Sequence, residues 1–175
     1  MQTTPVILPA TLADVPALAT LINQAYRGAA TPQSWTSEAH LLSGPRISEA
    51  QLRDMLLAPA AVLLKQVAAA DSLTGCVYLQ RFATGLYLSM LAVAPAAQAQ
   101  GVGRQLLTHA EAYARQQGCA RITISVLSAR PELLAWYERL GYRRTGAAEP
   151  FPDTTAFGQP QQPLTLLALE KAVAL

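Results

Sequence analysis

Charge is scarce in this chain. Only 14% of the 175 residues are Asp, Glu, Lys or Arg, the formal net charge is +2, and no block of one sign occurs. That excludes the basic stripe of a nucleic-acid surface and the polybasic segment of an anionic-membrane binder, so neither partner is expected. Cysteine is nearly missing as well. Cys76 and Cys119 are too few for a disulfide framework and each stands beside a strand-like run, so buried free thiols in a reducing cytoplasm are expected. Only His40 and His109 could join them as metal ligands, and no ligand-like spacing exists; no metal is expected. Long apolar runs are also lacking. "GLYLSMLAVAPAA" ends at a proline, well short of the roughly 20 residues a membrane span requires. The opening "MQTTPVILPA" has neither the basic start nor the apolar core of a signal peptide.

What is present is a core. With 51% hydrophobic residues the chain is expected to form one α/β domain over residues 1–175. "VILPAT" reads as a strand. "LADVPALATLINQAYRG" carries Val15, Leu18, Leu21, Ile22 and Ala25 at helical spacing and stops at Gly28. Residues 29–46 form a long irregular connection, and such loops are more often functional than neutral. Ser48 is a candidate N-cap for a short helix that ends near Pro59. Three strands follow, "AVLLKQVAAA", "GCVYLQRFA" and "LYLSMLAVAP", separated by turn signals at Asp71–Gly75 and Thr84–Gly85 in the manner of an antiparallel meander. A helix "GRQLLTHAEAYARQQG" presents Leu106, Leu107, Ala110 and Ala114 inward, and "ARITISVL" is a strongly β-branched strand. The helix "RPELLAWYERLG" has Pro131 in its first turn; "YRRTGAAEPF" and "PLTLLALEKAV" are the last strands. The reading is a mixed sheet with helices packed against it.

One stretch breaks this regularity. In "QAQGVGRQLL", residues 98–107, glycines stand just where a helix begins after a strand. A helix N-terminus offers unpaired amides and partial positive charge, and glycine keeps side chains out of the way of a bound phosphate. A nucleoside-triphosphate loop would need a lysine and a hydroxyl after the glycines, where Arg104–Gln105 stand. A dinucleotide loop would need a third glycine at Leu106 and an acidic residue about 20 positions on, where "CARITISV" stands. What remains is Gln-x-x-Gly-x-Gly, made of Gln98, Gly101 and Gly103. A tight strand-to-helix turn without a ligand is the alternative.

This motif resembles the acyl-CoA-binding signature of the GNAT superfamily of N-acyltransferases, written Arg/Gln-x-x-Gly-x-Gly/Ala. A second stretch, "LLAWYERLGYRRTG" at residues 133–146, is similar to the superfamily's segment in which a tyrosine precedes Glu-x-x-Gly-aromatic. Here those positions are Tyr137, Gly141 and Tyr142. The element order also matches, so the resemblance covers nearly the whole chain. It implies a mixed, largely antiparallel sheet of about seven strands flanked by about four helices and splayed between the fourth and fifth strands.

The resemblance implies acetyl-CoA as acyl donor and an acetyl transfer by direct attack of an amine in a ternary complex. The pantetheine arm would pair with the backbone of Leu91, Ala92 and Val93. The pyrophosphate would lie on the amides of Gln98, Ala99, Gln100, Gly101, Val102, Gly103 and Arg104, and Arg104 would add charge. Thioester aminolysis needs a neutral amine, yet a lysine-like amine has a pKa of about 10.4, so a base or water chain must take a proton. A backbone amide of the fourth strand would meet the oxyanion. Tyr137 would be the general acid that protonates the thiolate; packing beside Trp136 is the structural alternative. Since helical neighbours point about 100° apart, one of the pair can be core while the other faces the donor.

The chain also departs from the superfamily's pattern. A glutamate that often serves as base on the fourth strand is absent from "LYLSMLAV". Glu38 is the replacement base considered first, with His40, Glu149 and Asp153 as further candidates. An asparagine that often contacts the donor arm is replaced by Arg130, which either reaches a CoA phosphate or stabilises its turn. Cys119 lacks an adjacent acid or histidine and is a poor covalent nucleophile. The acceptor pocket implied by the resemblance would gather Trp35, Phe151 and Phe157, which suits a partly apolar amine more than a polycation. The acceptor is expected to be a small-molecule or peptide amine, and a homodimer is compatible with the sequence. A CoA-binding regulatory or sensing domain without turnover is the alternative function.

Overall fold

The computed structural model describes residues 5–28, 36–68, 71–83 and 85–174. Strand β1 (Val6–Pro9) leads into helix α1 (Val15–Arg27), whose apolar residues at 15, 18, 21, 22 and 25 are all buried. Gly28 caps α1 by donating to the Gln24 carbonyl at 3.0 Å. Helix α2 (Glu49–Leu57) begins with a capping box. Ser48 Oγ accepts from the Gln51 amide at 3.2 Å, and Gln51 Oε1 accepts from the Ser48 amide at 2.8 Å.

Strands β2 (Ala61–Val67), β3 (Leu73–Phe82) and β4 (Gly85–Val93) form the expected meander. Helix α3 (Val102–Gln116), β5 (Arg121–Leu127), α4 (Pro131–Arg139), β6 (Arg143–Pro150) and β7 (Thr165–Ala172) complete the order. The main sheet has seven strands in the order β1-β2-β3-β4-β5-β7-β6, antiparallel except where β4 meets β5. Two-residue strands at 42–43 and 159–160 pair outside it and fasten the connection after α1 to the loop between β6 and β7.

Each face of the sheet carries its own core. Helices α1 and α2 pack on one face around Leu18, Ile22, Leu52, Leu63, Cys76 and Tyr78. Helices α3 and α4 cover the other around Leu79, Leu86, Leu106, Ala110, Ile122 and Leu134. The α3 residues expected inside, Leu106, Leu107, Ala110 and Ala114, are all buried. Helix α3 lies close on the sheet because Gly75 opposes its first turn. A Cβ there would meet Val102 Cγ1 at 2.8 Å and Leu106 Cδ1 at 3.0 Å. Both cysteines are buried free thiols, and burial pushes the Cys76 thiol up to about 12. Among the described residues, no helix is long and apolar enough to cross a membrane.

Leu106 is fully buried between α3 and β3. Leu106→Ala is expected to lower the unfolding free energy by about 2–5 kcal/mol. Urea titration should show a lower midpoint at an unchanged slope; an unchanged midpoint would mean that α3 does not anchor this core.

Candidate active site

The site starts where the sheet stops being continuous. Strands β4 and β5 pair in parallel over only three positions, Gly85↔Arg121, Leu86↔Ile122 and Tyr87↔Thr123. Beyond them β5 continues along β7 and β4 along β3, and the two diverge. In the same stretch β4 carries a bulge. Cys76 pairs with Ala92 and Tyr78 with Ser89, so Met90 and Leu91 together oppose Val77. Met90 takes a left-handed φ of +47° to make it.

The bulge inverts the alternation of the strand. Leu86 and Leu88 face the α3 core, yet Met90 and Ala92 face the α1 core, and Leu91 and Val93 turn toward α3 and α4. Two open-edge carbonyls of β4 are met by side chains. The Tyr26 hydroxyl donates to the Leu91 carbonyl at 3.0 Å, and Gln98 Nε2 donates to the Val93 carbonyl at 3.3 Å and to Thr36 Oγ1 at 3.1 Å.

Two cavities open on either side of this bulge. The smaller, about 410 Å³, is lined by Leu91, Val93, Gln98, Ala99, Gly101, Val102, Gly103 and Arg104, with Trp136 and Tyr137 across it. The larger, about 570 Å³, is lined by Tyr78, Tyr87, Ser89, Met90, Glu38, Arg27 and Arg46, with Phe151 and Phe157 from the loop after β6. Tyr26, Leu133 and Tyr137 line both and form the wall between them.

The smaller cavity ends in a cradle of main-chain donors. Ala99 (φ +62°) and Gly101 (φ +81°) are both left-handed. Gly101 is the N-cap of α3, and the first intrahelical bond, Gln105 to the Gly101 carbonyl, leaves the amides of Val102, Gly103 and Arg104 outside the helical ladder. Glycine at 101 is therefore dictated by φ, since open space surrounds its absent Cβ. At 103 a Cβ would make ordinary contact with Trp136 at 3.5 Å, and a longer side chain would narrow the cavity. Gln98 Oε1 is buried and has no hydrogen-bond partner. Gln100 turns aside, its Nε2 donating to the Ala96 carbonyl at 2.9 Å.

Helix α4 lies across both cavities. Leu133, Trp136 and Tyr137, at i, i+3 and i+4, share one face, so Trp136 and Tyr137 both border the smaller cavity. Tyr137 is at the same time part of the core on this face of the sheet, with the partly buried Trp136 packed against it. Tyr137 is 6% exposed and braced edge-on by Trp136 at 4.9 Å and Tyr142 at 5.4 Å between ring centroids. Burial, then the neighbouring Tyr26, Tyr142 and Glu38, holds its hydroxyl well above the ordinary phenol range, so it stays protonated at neutral pH.

Glu38 is 7% exposed in the larger cavity. Its Oε2 lies 3.4 Å from Arg27 Nη1 and its Oε1 lies 3.5 Å from Arg130 Nη1. Burial nonetheless pushes its carboxyl above the usual range, against the pull of Arg130, Arg27 and Arg46. Arg130 does not line the glycine cavity. It is 2% exposed, bonded to the Glu38 and Glu132 carboxylates and, at 3.2 Å, to the Thr36 carbonyl. Of its two expected roles, the geometry is that of a turn stabiliser. His40 and Glu149 are exposed and line neither cavity, and Asp153 lies on a separate cleft. Trp35 lies outside the described residues.

Tyr26, Arg27 and Arg46 are site residues that the sequence reading missed. The signal for Tyr26 was its place four residues after Ile22, a phenol ending an apolar helix face.

The acetyltransferase (GNAT) family pattern matches residues 25–142 of this chain. The acetyltransferase Atu2258 of Agrobacterium fabrum is 37% identical over 65 residues, which is 37% of this chain and 46% of that protein; the chain thus matches about half the length of that relative. The ribosomal-protein-S18-alanine N-acetyltransferase of Escherichia coli superposes with a TM-score of 0.73 at 18% identity, over 98% of this chain and 96% of its own. The spermidine N-acetyltransferase of Vibrio cholerae, solved with CoA and spermine, superposes with a TM-score of 0.69 at 17% identity, over 97% and 95%.

The Glu38 shift has a testable sign. A carboxyl that holds its proton more tightly when folded adds stability below its unfolded pKa, near 4.5, and loses that contribution as pH rises through the folded value. The unfolding free energy of wild type minus that of Glu38→Gln should therefore increase as pH falls from about 7 to about 5. Urea titrations across that range measure it, and a difference that shrinks toward low pH would refute the raised carboxyl.

Proposed function

The chain belongs to the acetyltransferase (GNAT) family, and on that ground we propose that it is a single-domain N-acetyltransferase that joins acetyl-CoA and a small amine in a ternary complex. The observation that carries this reading is the divergence of β4 from β5, with two cavities meeting at Tyr137. Acetyl-CoA is the family's acyl donor. The residues around the smaller cavity fit it: unladdered amides at Val102–Arg104 suit a pyrophosphate, the open edge of β4 suits an amide-bearing arm, and the buried Gln98 Oε1 awaits a donor.

On this reading each residue has a task. The amides of Val102, Gly103 and Arg104 bind phosphate, and Arg104 adds charge at the mouth. The bulged peptides at Met90 and Leu91, which together oppose one β3 residue, supply the donor to the thioester oxygen as negative charge develops there. Glu38 takes a proton from the incoming ammonium through water; its burial favours the protonated form. Tyr137, protonated at working pH, donates to the leaving sulfur. The amine nitrogen bonds to the carbonyl carbon, the carbon–sulfur bond breaks, and the thiolate leaves as a thiol. Burial of both cysteines away from a base leaves no part for a covalent acetyl-enzyme.

Tyr137→Phe is expected to lower kcat by about 10²-fold or more with the acetyl-CoA Kd nearly unchanged. Steady-state thiol release and calorimetry measure the two quantities, and an unchanged kcat removes Tyr137 from the chemistry. If acetyl-CoA binds but no amine in a broad panel accelerates thiol release, the chain is a CoA-binding domain without turnover.

Gly103→Val should act on the other substrate. Its methyl groups extend past the 3.5 Å contact with Trp136 into the donor cavity. Saturating wild type at 100 times the Kd should raise stability by about 2.7 kcal/mol, and the variant should lose most of that shift in thermal melts. An equal shift in both proteins would place the donor elsewhere.

A further inference from the structure

We infer that the acceptor is an amino-carboxylate, a small molecule carrying a carboxylate and an apolar body beside its primary amine, and that Arg46 binds the carboxylate. This deepens the acetyl-transfer reading and rests on it.

The inference comes from the unequal use of the cationic groups around the larger cavity. Arg27 is committed. Its Nε donates to the Gly44 carbonyl at 3.1 Å, its Nη2 to the Phe157 carbonyl at 2.7 Å and its Nη1 to Glu38. Arg130 is committed to Glu38, Glu132 and Thr36. The Glu38 carboxylate is thereby answered on both oxygens.

Arg46 differs. It lines the cavity, forms no ion pair among the described residues, and its Nη1 is buried without a hydrogen-bond partner. Its guanidinium lies 5.3 Å from the Tyr26 ring centroid and 5.2 Å from that of Phe157. Aromatic rings take up the faces of a guanidinium and leave its in-plane N–H groups for a planar anion, which is the geometry of bidentate carboxylate recognition. A buried donor left unmet is costly, so an unmet Nη1 on a guanidinium that lines a cavity points to a ligand that engages that guanidinium.

The backbone beneath is held for this. The chain's only asparagine, Asn23, accepts the Arg46 amide at 2.7 Å and the Ile47 amide at 3.2 Å, and donates to the Ile47 carbonyl at 2.8 Å. Three bonds from one α1 side chain fix where Arg46 leaves the main chain.

The charge balance agrees. Arg27, Arg46 and Arg130 surround the single buried carboxylate Glu38, and Asp54, also lining the cavity, is exposed at its rim. A polycation entering this cavity would meet cations. An amino-carboxylate would place its anion on Arg46 and its amine nearer Glu38 and Tyr137. Met55, Met90, Phe151 and Leu166 offer an apolar lining to the rest, and about 570 Å³ suits a molecule of amino-acid size.

The test compares matched acceptors: L-leucine with 3-methylbutylamine, L-phenylalanine with phenethylamine, and spermidine as polycation. Acetylated product is quantified by mass spectrometry, and kcat/KM is expressed per neutral amine. The carboxylated member of each pair should be favoured by about 10- to 100-fold, the range of a charge-assisted contact. That ratio should fall to about one in Arg46→Met and be partly kept in Arg46→Lys. Equal or better use of the decarboxylated amines or spermidine, or an undiminished ratio in Arg46→Met, overturns the inference.

The wild-type ratio needs no variant, so a misfolded Arg46→Met leaves the test intact. Calorimetry with CoA plus N-acetyl-L-leucine or N-acetyl-3-methylbutylamine separates the two readings. Preferential binding of the carboxylated product without turnover supports the Arg46 site while acetyl transfer fails; turnover with no such preference does the reverse.

Discussion

Everything in this site depends on one interruption, the loss of pairing between β4 and β5 after Tyr87 and Thr123. A parallel pair that continued would bury its hydrogen-bonding groups and leave no opening in the sheet. Divergence exposes main-chain carbonyls in the middle of a structured region, where unmet polar groups are costly. The structure answers with side chains from opposite directions: Tyr26 of α1 reaches Leu91, and Gln98 reaches Val93. These bonds satisfy the edge without closing it. The bulge at Met90 adds the second half of the device, since inverting the alternation lets neighbouring residues of one strand line two different cavities.

The charged groups behind the larger cavity serve position more than stability. Desolvating Glu38, Arg27 and Arg130 costs several kcal/mol per ion, which the pairs between them offset only when geometry is good. What they supply is connection. Arg27 on α1 touches Glu38 and Gly44 in the connection that follows it and Phe157 far along the chain, and Arg130 ties Glu38 to the start of α4. The connection after α1, the loop before β7 and the helix bearing Tyr137 are thereby held in one register. An apolar cluster of equal volume would hold them together without choosing that register.

Local signals in the sequence carried the fold far. Periodicity in α1 and α3, the Ser48 cap, the Pro131 start and the β-branched run of β5 each act within a few residues, and each element formed where expected. Gly101 was legible for the same reason, because a left-handed N-cap is a local demand for glycine. The bulge was not, since "LYLSMLAV" is apolar on both faces and shows no phase slip. The sequence left two roles open for Arg130 because its partner Glu38 lies 92 positions away. Tyr26 left only a phenol at the end of an apolar helix face, and Arg46 left no pattern, as their meaning comes from α1, the 36–47 segment and the 151–158 loop converging.

The same distinction explains why donor and acceptor differ in how far they can be read. On the proposed reading the donor side is main chain: amides at a helix start and an open strand edge, properties of the fold that survive when most side chains change. Solved structures at 17–18% identity therefore share this chain's architecture. The acceptor side is side chain, assembled from three separate segments, and is free to change while the sheet stays. A shared fold with an enzyme solved with spermine carries no polyamine specificity with it. Here the larger cavity sets Arg27, Arg46 and Arg130 around one buried carboxylate. A polyamine would need the reverse arrangement, with carboxylates in excess. On the proposed reading the sign of the charge around the larger cavity, not the shape of the sheet, decides which acceptor fits it.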